Sequence, residues 1–181
     1  IQNKFDFVIV VHSDEQGNTD KILDNFFSNI NKFKEVDFFM ASRFINESVI
    51  NGYSKVRILG NYFFNFITFL LTKVKLTDSG CGIIAIKTNT LKKINFLVLS
   101  NNFYFNPQLN VYIGRLNGIT KMDIPIEWKD SEIPSNLKII SYVYGLVKFL
   151  VRVFFKGTAT KLIDEKDIQS FKKKYKYNLI K

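Results

Sequence analysis

The chain has 181 residues, of which 46% are hydrophobic, so it suits one domain with a sizeable core. Its formal net charge of +10 indicates anionic partners such as nucleotide phosphates, lipid phosphates or an acidic membrane surface. The single cysteine, Cys81, excludes an intrachain disulfide and favours a reducing compartment.

A run of strand-forming residues at 5–11 stops abruptly in a cluster of polar and turn-forming side chains. Apart from Asp6 the run is β-branched or aromatic, which predicts a strand buried on both faces, as in a parallel sheet covered by helices. Ligands in open α/β sheets bind beyond the carboxyl ends of the strands, so the cluster is a candidate ligand site. Its residues are His12, Ser13, Asp14, Glu15, Gln16, Gly17 and Asn18.

A helix and a second strand follow the cluster. Asn18 or Thr19 can cap a helix over residues 19–33, whose apolar residues have helical spacing. Residues 36–41 form a short strand, and Arg43 follows it directly. Arg43 therefore either reaches the crevice of His12 and Asp14 or lies in a surface loop.

Residues 53–75 predict a long helix that carries Arg57, Asn61 and Asn65 on one face. Its remaining residues are strongly apolar, but charges and amides interrupt it too often for a transmembrane span. The segment is therefore either a core helix or a helix at a membrane interface.

A loop of small residues at 76–86 leads into another strand. Gly80 and Gly82 permit close ligand approach, and Asp78 is either a polar ligand or a residue that holds the loop.

The last third of the chain predicts three helices and a strand before a basic tail. The helices cover residues 88–94, 105–116 and 137–155, and the strand covers 119–128. Asn106 and Pro107 suit the cap and first turn of the second helix, and Lys148 and Arg152 lie on the third. The tail contains seven lysines after residue 160, which make either a solvated segment or one attracted to membranes and phosphates.

Taken in order, these segments resemble family 2 glycosyltransferases of the dolichol-phosphate mannose synthase type over residues 5–156. The motifs that carry the resemblance are VIVVHSDEQGN at 8–18, ASRF at 41–44, Arg57 with Gly60-Asn61, TDSGCG at 77–82, YFNPQL at 104–109, IPIEW at 124–128 and SNLK at 135–138.

The resemblance implies an α/β fold, a partial glycosyltransferase-A (Rossmann-like) fold with a mainly parallel mixed sheet flanked by helices. In that family an N-terminal half binds the nucleotide and precedes the Asp-x-Asp strand, and by this resemblance we expect that half to be lacking from these 181 residues. Residues 1–156 would then be the metal- and acceptor-site portion, followed by a basic tail at 157–181. Such a chain is expected to bind a sugar nucleotide poorly by itself, and truncation or processing is one explanation.

The family's Asp-x-Asp motif holds a divalent metal on the donor pyrophosphate, where the cation neutralises charge as the glycosidic bond breaks. By this resemblance the metal ligands are His12, Asp14 and Gln16, with Mn²⁺ or Mg²⁺ as cofactor. His12 replaces the first acid, which weakens the metal site or shifts its preference, because imidazole suits Mg²⁺ less well than oxygen does. The alternative is that His12 binds no metal and simply ends the strand.

A second departure lies at YFNPQL, where relatives place one or two acids that can act as general base. Asn106 and Gln108 cannot take that role. A polyprenyl-phosphate acceptor is already ionised and tolerates the loss, and so does an inactive homologue.

The resemblance implies transfer of a sugar from a nucleotide-sugar donor to a polyprenyl-phosphate or glycan acceptor, metal-assisted. The expected catalytic residues are Asp14, Asp78 and Arg57, and the expected phosphate-binding residues are Arg43, Arg57 and Lys138. We expect a cytoplasmic protein, or one peripherally bound at the cytoplasmic face of a membrane, that does not bind nucleic acid. The alternative is an inactive homologue or a non-catalytic module that binds membrane surfaces or polyanions.

Overall fold

The computed structural model describes residues 5–12, 16–29, 31–130 and 139–157, together with Ser170 and Lys173. The strands are β1 (Phe7–Val10), β2 (Phe38–Ser42), β3 (Val49–Asn51), β4 (Ile84–Lys87), β5 (Lys121–Pro125) and β6 (Glu127–Lys129). The α-helices are α1 (Thr19–Ser28), α2 (Lys55–Thr72), α3 (Thr88–Leu91), α4 (Phe105–Gly114) and α5 (Ile139–Lys156).

Four strands form a mixed sheet in the order β1-β4-β2-β5. Strand β4 is antiparallel to both of its neighbours, and β2 is parallel to β5. Strands β1, β2 and β5 therefore run in one direction, and β4 alone opposes them. The predicted mixed α/β sheet flanked by helices is confirmed, and β3 and β6 add a small parallel pair.

Helices cover both faces of this sheet. On β2, Phe39 and Ala41 face a core that includes Ile22 and Phe26 of α1. The alternating residues Phe38 and Met40 face the other core, to which α2, α4 and α5 contribute. The sheet is thus the middle of three layers, which places the strand ends in a cleft between helices.

The prediction of a first strand buried on both faces is wrong in its extent and its burial. Strand β1 covers only Phe7–Val10, and each of its residues is half-buried. Phe5 is 70% exposed and Val11 is 38% exposed. The reason is the strand order, because β1 pairs with β4 on one side and with no other strand of the described chain.

Helix α1 begins where the sequence predicts, with the side chain of Asn18 accepting a hydrogen bond from Lys21 N at 3.1 Å. It ends at Ser28 rather than at residue 33. Asn29 is the C-cap, and its amide donates to the carbonyl of Asn25 at 2.8 Å. A 3₁₀ turn, Lys32–Lys34, then leads to β2.

Two predicted boundaries late in the chain are also corrected. Helix α4 begins at Phe105 with Tyr104 as N-cap, so Asn106 lies inside the first turn and its side chain does not cap the helix. Pro107 is still tolerated there, because the first turn has no intrahelical partner for its missing N–H. The predicted strand at 119–128 is two strands, β5 and β6, which belong to different sheets.

Helices α2 and α5 contact each other and leave large hydrophobic side chains exposed. We call this surface the apolar face. On α2 its residues are Val56, Leu59, Tyr62, Phe63, Phe66, Phe69 and Leu70, and on α5 they are Ile139, Ile140, Val143, Tyr144, Val147, Val151, Phe154 and Phe155. None of the described helices is long and apolar enough to cross a membrane.

Candidate functional site

The candidate site lies at the edge of the sheet where β1, β2 and β5 end and β4 begins. His12 lies two residues beyond β1, and Arg43 directly follows β2. Trp128 lies just beyond β5, and Gly82 precedes β4. Because β4 runs opposite to its neighbours, the loop that leads into it meets the carboxyl ends of the other strands. We call this loop, residues 73–83, the entry loop.

A buried ion pair between Arg43 and Asp78 joins β2 to this entry loop. Arg43 Nε lies 2.7 Å from Asp78 Oδ2, and Nη2 lies 2.8 Å from Oδ1. The backbone N–H of Arg43 also donates to Oδ2 at 3.0 Å. Arg43 is 6% exposed and Asp78 is 0% exposed, so the two charges neutralise each other away from water.

Burial acts to lower the pKa of Arg43, but its hydrogen bonds to Asp78 and the charge of that carboxylate raise it above its ordinary value. The neighbouring thiol is also affected, since burial, with a smaller effect of Asp78, raises the pKa of Cys81 to about 12. Arg43 is therefore a permanent cation, and Cys81 stays protonated near neutral pH.

Aromatic rings surround the Arg43 guanidinium. Its central carbon lies 4.9 Å from the ring centroid of Trp128, 5.1 Å from that of Tyr53 and 5.4 Å from that of Phe44. These are cation–π distances, so the rings hold the guanidinium in place while Asp78 fixes its plane.

Polar contacts extend from this pair to α2 and to the end of β6. Arg43 Nη1 donates to the Tyr53 hydroxyl at 3.3 Å, and Asn61 Nδ2 donates to the same oxygen at 3.1 Å. Arg57 lies over the Tyr53 ring at 5.8 Å, and its Nη1 donates to Asp130 Oδ2 at 2.6 Å. Gln16 Nε2 reaches the other oxygen of Asp130 at 3.4 Å.

The entry loop is held by amides. Asn65 Nδ2 donates to the carbonyl of Thr77 at 2.6 Å, and Asn65 Oδ1 accepts from Ser79 N at 2.9 Å. Asn110 Nδ2 donates to the carbonyl of Cys81 at 3.1 Å. The predicted face of α2 is thus confirmed, because Arg57, Asn61 and Asn65 all point to the site.

His12 and Asn106 meet over Gly82. A Cβ on Gly82 would lie 2.5 Å from His12 Nε2 and closer still to Asn106 Nδ2. The His12 ring makes an edge contact with Trp128 at 6.2 Å between centroids. The indole N–H of Trp128 is buried and has no acceptor among the described residues. Glycine is therefore needed at position 82 to let the two polar side chains converge.

Two stacked tyrosines connect α5 to the site. The rings of Tyr104 and Tyr142 lie 5.3 Å apart and nearly parallel, and the Tyr104 hydroxyl donates to the carbonyl of Ser141 at 3.1 Å. Gly145 leaves room for the Tyr104 phenol. Burial, with a smaller effect of Tyr104, raises the pKa of Tyr142 to about 12, so the Tyr142 hydroxyl is neutral near pH 7.

The predicted metal ligands are only partly described. His12 and Gln16 lie at the site, whereas Asp14 lies outside the described residues. No group of three His, Cys, Asp or Glu side chains capable of holding a metal occurs in the described part of the chain. A complete ligand set is therefore not present among these residues, and the metal site stays a prediction.

The predicted phosphate-binding and catalytic residues separate into two groups. Arg43 and Asp78 are buried and satisfy each other, whereas Arg57 is 42% exposed in its side chain. Lys138 lies outside the described residues. Of the predicted cations that are described, Arg57 is thus the one placed to reach a ligand directly.

Sequence analysis did not select Tyr53, Trp128 or Asp130 as site residues, although Trp128 ends the motif IPIEW. Tyr53 precedes the N-cap of α2, and Trp128 and Asp130 follow the end of β5. The position of Trp128 and Asp130 in the sequence could have identified them, because residues just beyond a strand that is parallel to β2 reach the same sheet edge.

Comparison with known proteins finds a distant relative. No family model matches the chain. It is 25% identical over 125 residues to the uncharacterized protein MJ1222 of Methanocaldococcus jannaschii. The match covers 68% of this chain and 51% of that protein, so the chain spans about half the length of this relative.

Proposed function

We propose that this chain takes part in a glycosyltransferase reaction of family 2 type and glycosyltransferase-A fold, metal-assisted. The sugar would move from a nucleotide-sugar donor to a polyprenyl-phosphate or glycan acceptor. The observation that supports this most directly is that His12 and Asn106 meet over Gly82 at the sheet edge of the buried Arg43–Asp78 pair, while Arg57 lies over Tyr53, which Arg43 contacts.

The described residues suit a substrate that carries phosphate. Arg57 offers a guanidinium that is partly open to solvent, and it lies at the N-terminal end of α2, where the helix dipole also favours anions. The buried Arg43–Asp78 pair acts on Tyr53 and on the loop of Gly80 and thereby positions the site. Asp78 would act through Arg43, because its oxygens are occupied by that residue.

Asn106 and Gln108 provide no general base. Gln108 instead exchanges hydrogen bonds with Ser100, at 2.9 Å to its backbone N–H and 3.1 Å to its hydroxyl. The lack of a general base at these two positions favours a phosphate acceptor, since an ionised phosphate needs no proton removed before it attacks.

A divalent cation bound by His12, Asp14 and Gln16 would neutralise the leaving diphosphate. The described residues do not complete that ligand set, so metal binding is itself under test.

The test is a transfer assay on the full-length protein that contains these residues, with labelled nucleotide sugars, a short polyprenyl phosphate, and Mn²⁺ or Mg²⁺. We expect metal-dependent product, and His12→Ala and Asp14→Asn should each lower the rate about 100-fold, a typical loss for a displaced catalytic group. EDTA is the control. If neither metal supports donor hydrolysis or transfer, and both variants bind metal like the unsubstituted chain, the proposal fails.

The apolar face favours a second candidate, a peripheral membrane-binding module. Apart from Arg57, the exposed side of α2 between Lys55 and Lys73 carries large apolar residues and one glycine. On α5, Lys148, Arg152 and Lys156 recur every four residues and are exposed beside the apolar stripe. Helices with apolar residues flanked by cations bind at the interface of anionic membranes.

Sedimentation with vesicles containing phosphatidylserine tests this membrane role. We expect Phe66→Glu to weaken vesicle binding about tenfold or more, because a partly buried phenylalanine contributes about 1.5–3 kcal/mol. Phe27→Glu is the matched control, since Phe27 is 56% exposed and Phe66 is 58% exposed, but Phe27 lies on α1 across the sheet. Equal losses in both variants, or no binding by the unsubstituted chain, would contradict the membrane role.

A further inference from the structure

The hydroxyl of Tyr53 is held at the centre of the candidate site by two donors. Arg43 Nη1 lies 3.3 Å from it and Asn61 Nδ2 lies 3.1 Å from it. A phenolic oxygen has two acceptor positions and one O–H donor. Both acceptor positions are therefore occupied, and the O–H bond must point away from Arg43 and Asn61.

The direction of the Asn61 contact follows from a second hydrogen bond. The same Nδ2 donates to the carbonyl of Arg57 at 2.8 Å, and a carbonyl can only accept. The atom is thus the amide nitrogen, and its second N–H is the one that meets Tyr53. Within the described part of the chain, no group accepts the Tyr53 proton in return.

Arg43 polarises the Tyr53 hydroxyl, and both Arg43 and Arg57 lie beside the Tyr53 ring. Arg43 and Arg57 are 5.1 Å and 5.8 Å from the ring centroid of Tyr53. A hydroxyl that accepts a hydrogen bond from a cation becomes a stronger donor. The preferred acceptor for such a donor, next to the partly open Arg57 guanidinium, is an anionic oxygen.

We propose that Tyr53 contacts the substrate by donating its O–H to a phosphoryl oxygen that Arg57 also binds. This role rests on the proposed function and adds a residue that the motif resemblance does not include. The phosphoryl oxygen belongs either to the donor diphosphate or to a lipid-phosphate acceptor, and the experiment separates the two.

The buried Arg43–Asp78 pair explains why Tyr53 suits this role. Arg43 is fixed by Asp78 and by the surrounding rings, so it cannot turn towards a ligand. It keeps one N–H directed at Tyr53 instead. Tyr53 thus extends the influence of a buried cation to a position that a ligand can reach.

The experiment compares Tyr53→Phe with Tyr62→Phe in the 181-residue chain. Both changes remove only a hydroxyl, but Tyr62 lies on the apolar face and packs against Phe44. The probes are inorganic diphosphate for the donor side and farnesyl phosphate for the acceptor side, each titrated by NMR. We expect Tyr53→Phe to weaken binding of one probe about tenfold and Tyr62→Phe to change neither more than twofold.

A second measurement separates contact from a merely structural role. In unsubstituted chain labelled with ¹³Cζ-tyrosine, the Tyr53 signal, assigned by its loss in Tyr53→Phe, should shift when the bound probe saturates. Equal binding of both probes by Tyr53→Phe and unsubstituted chain, or an unmoved Tyr53 signal at saturation, overturns this role alone. If neither probe binds the unsubstituted chain, the proposed function is overturned together with it.

Discussion

Asp78→Asn is expected to destabilise the chain by about 3–5 kcal/mol. The variant keeps the size of the side chain but leaves the Arg43 guanidinium charged, 6% exposed and without its counterion. Equilibrium unfolding in urea measures the loss directly. For a chain of this length, the melting temperature should fall by about 10 °C.

Asp130→Asn is the matched control for that measurement. It removes the same charge from the Arg57–Asp130 pair, in which the arginine is 42% exposed, so the loss should stay below about 1 kcal/mol. The double variant Arg43→Met/Asp78→Asn should recover most of the stability, because no unpaired charge then remains buried. Similar losses in Asp78→Asn and Asp130→Asn would show that the buried pair does not hold the loop.

Gly82→Ala is expected to lower the transfer rate on the order of 100-fold while changing stability little. A methyl group there would occupy the space of His12 Nε2 and Asn106 Nδ2. Both atoms are at the ends of side chains that can rotate away, so the fold tolerates the change. The two polar groups would nevertheless move by about 1 Å, a displacement that can cost that factor in rate.

Gly114→Ala provides the opposite pattern. Its Cβ would lie 3.2 Å from Val74 Cβ and closer to Cγ1, inside the core rather than at the site. Overpacking of this kind costs about 1–3 kcal/mol, whereas the rate per folded molecule should be unchanged. Both variants need the transfer assay and the urea titration, and a normal rate in Gly82→Ala would contradict the geometry proposed for His12 and Asn106.

Both sets of variants concern contacts between distant parts of the chain. Asp78 reaches back 35 residues to Arg43, and Gly82 receives side chains from before α1 and from α4. The entry loop of β4 therefore contacts the residues on both sides of the candidate site.

Local patterns in the sequence were enough to predict the five described α-helices, the strands β1, β2 and β4 and several of their ends, but not β3 or the division of 119–128 into β5 and β6. Asn18 caps α1 because its short side chain reaches the backbone N–H three residues on, which depends only on nearby residues. The four-residue spacing of Arg57, Asn61 and Asn65 likewise determines that they share a helix face. The same locality places Arg57 on the face of α2 that contacts Tyr53.

The tertiary structure alone decided which of these residues meet and which face solvent. The apolar residues of β1 predict burial, yet the strand lies at an edge, because strand order depends on pairings between distant segments. The sequence left open whether Arg43 reaches the crevice or lies in a surface loop, and whether Asp78 binds a ligand or holds its loop. The antiparallel entry of β4 joins the two residues in a buried pair. Tyr53 lies beside Arg43, ten residues before it, and Arg57, four residues after it, but the loops between β2 and α2 have no periodic pattern that predicts these contacts.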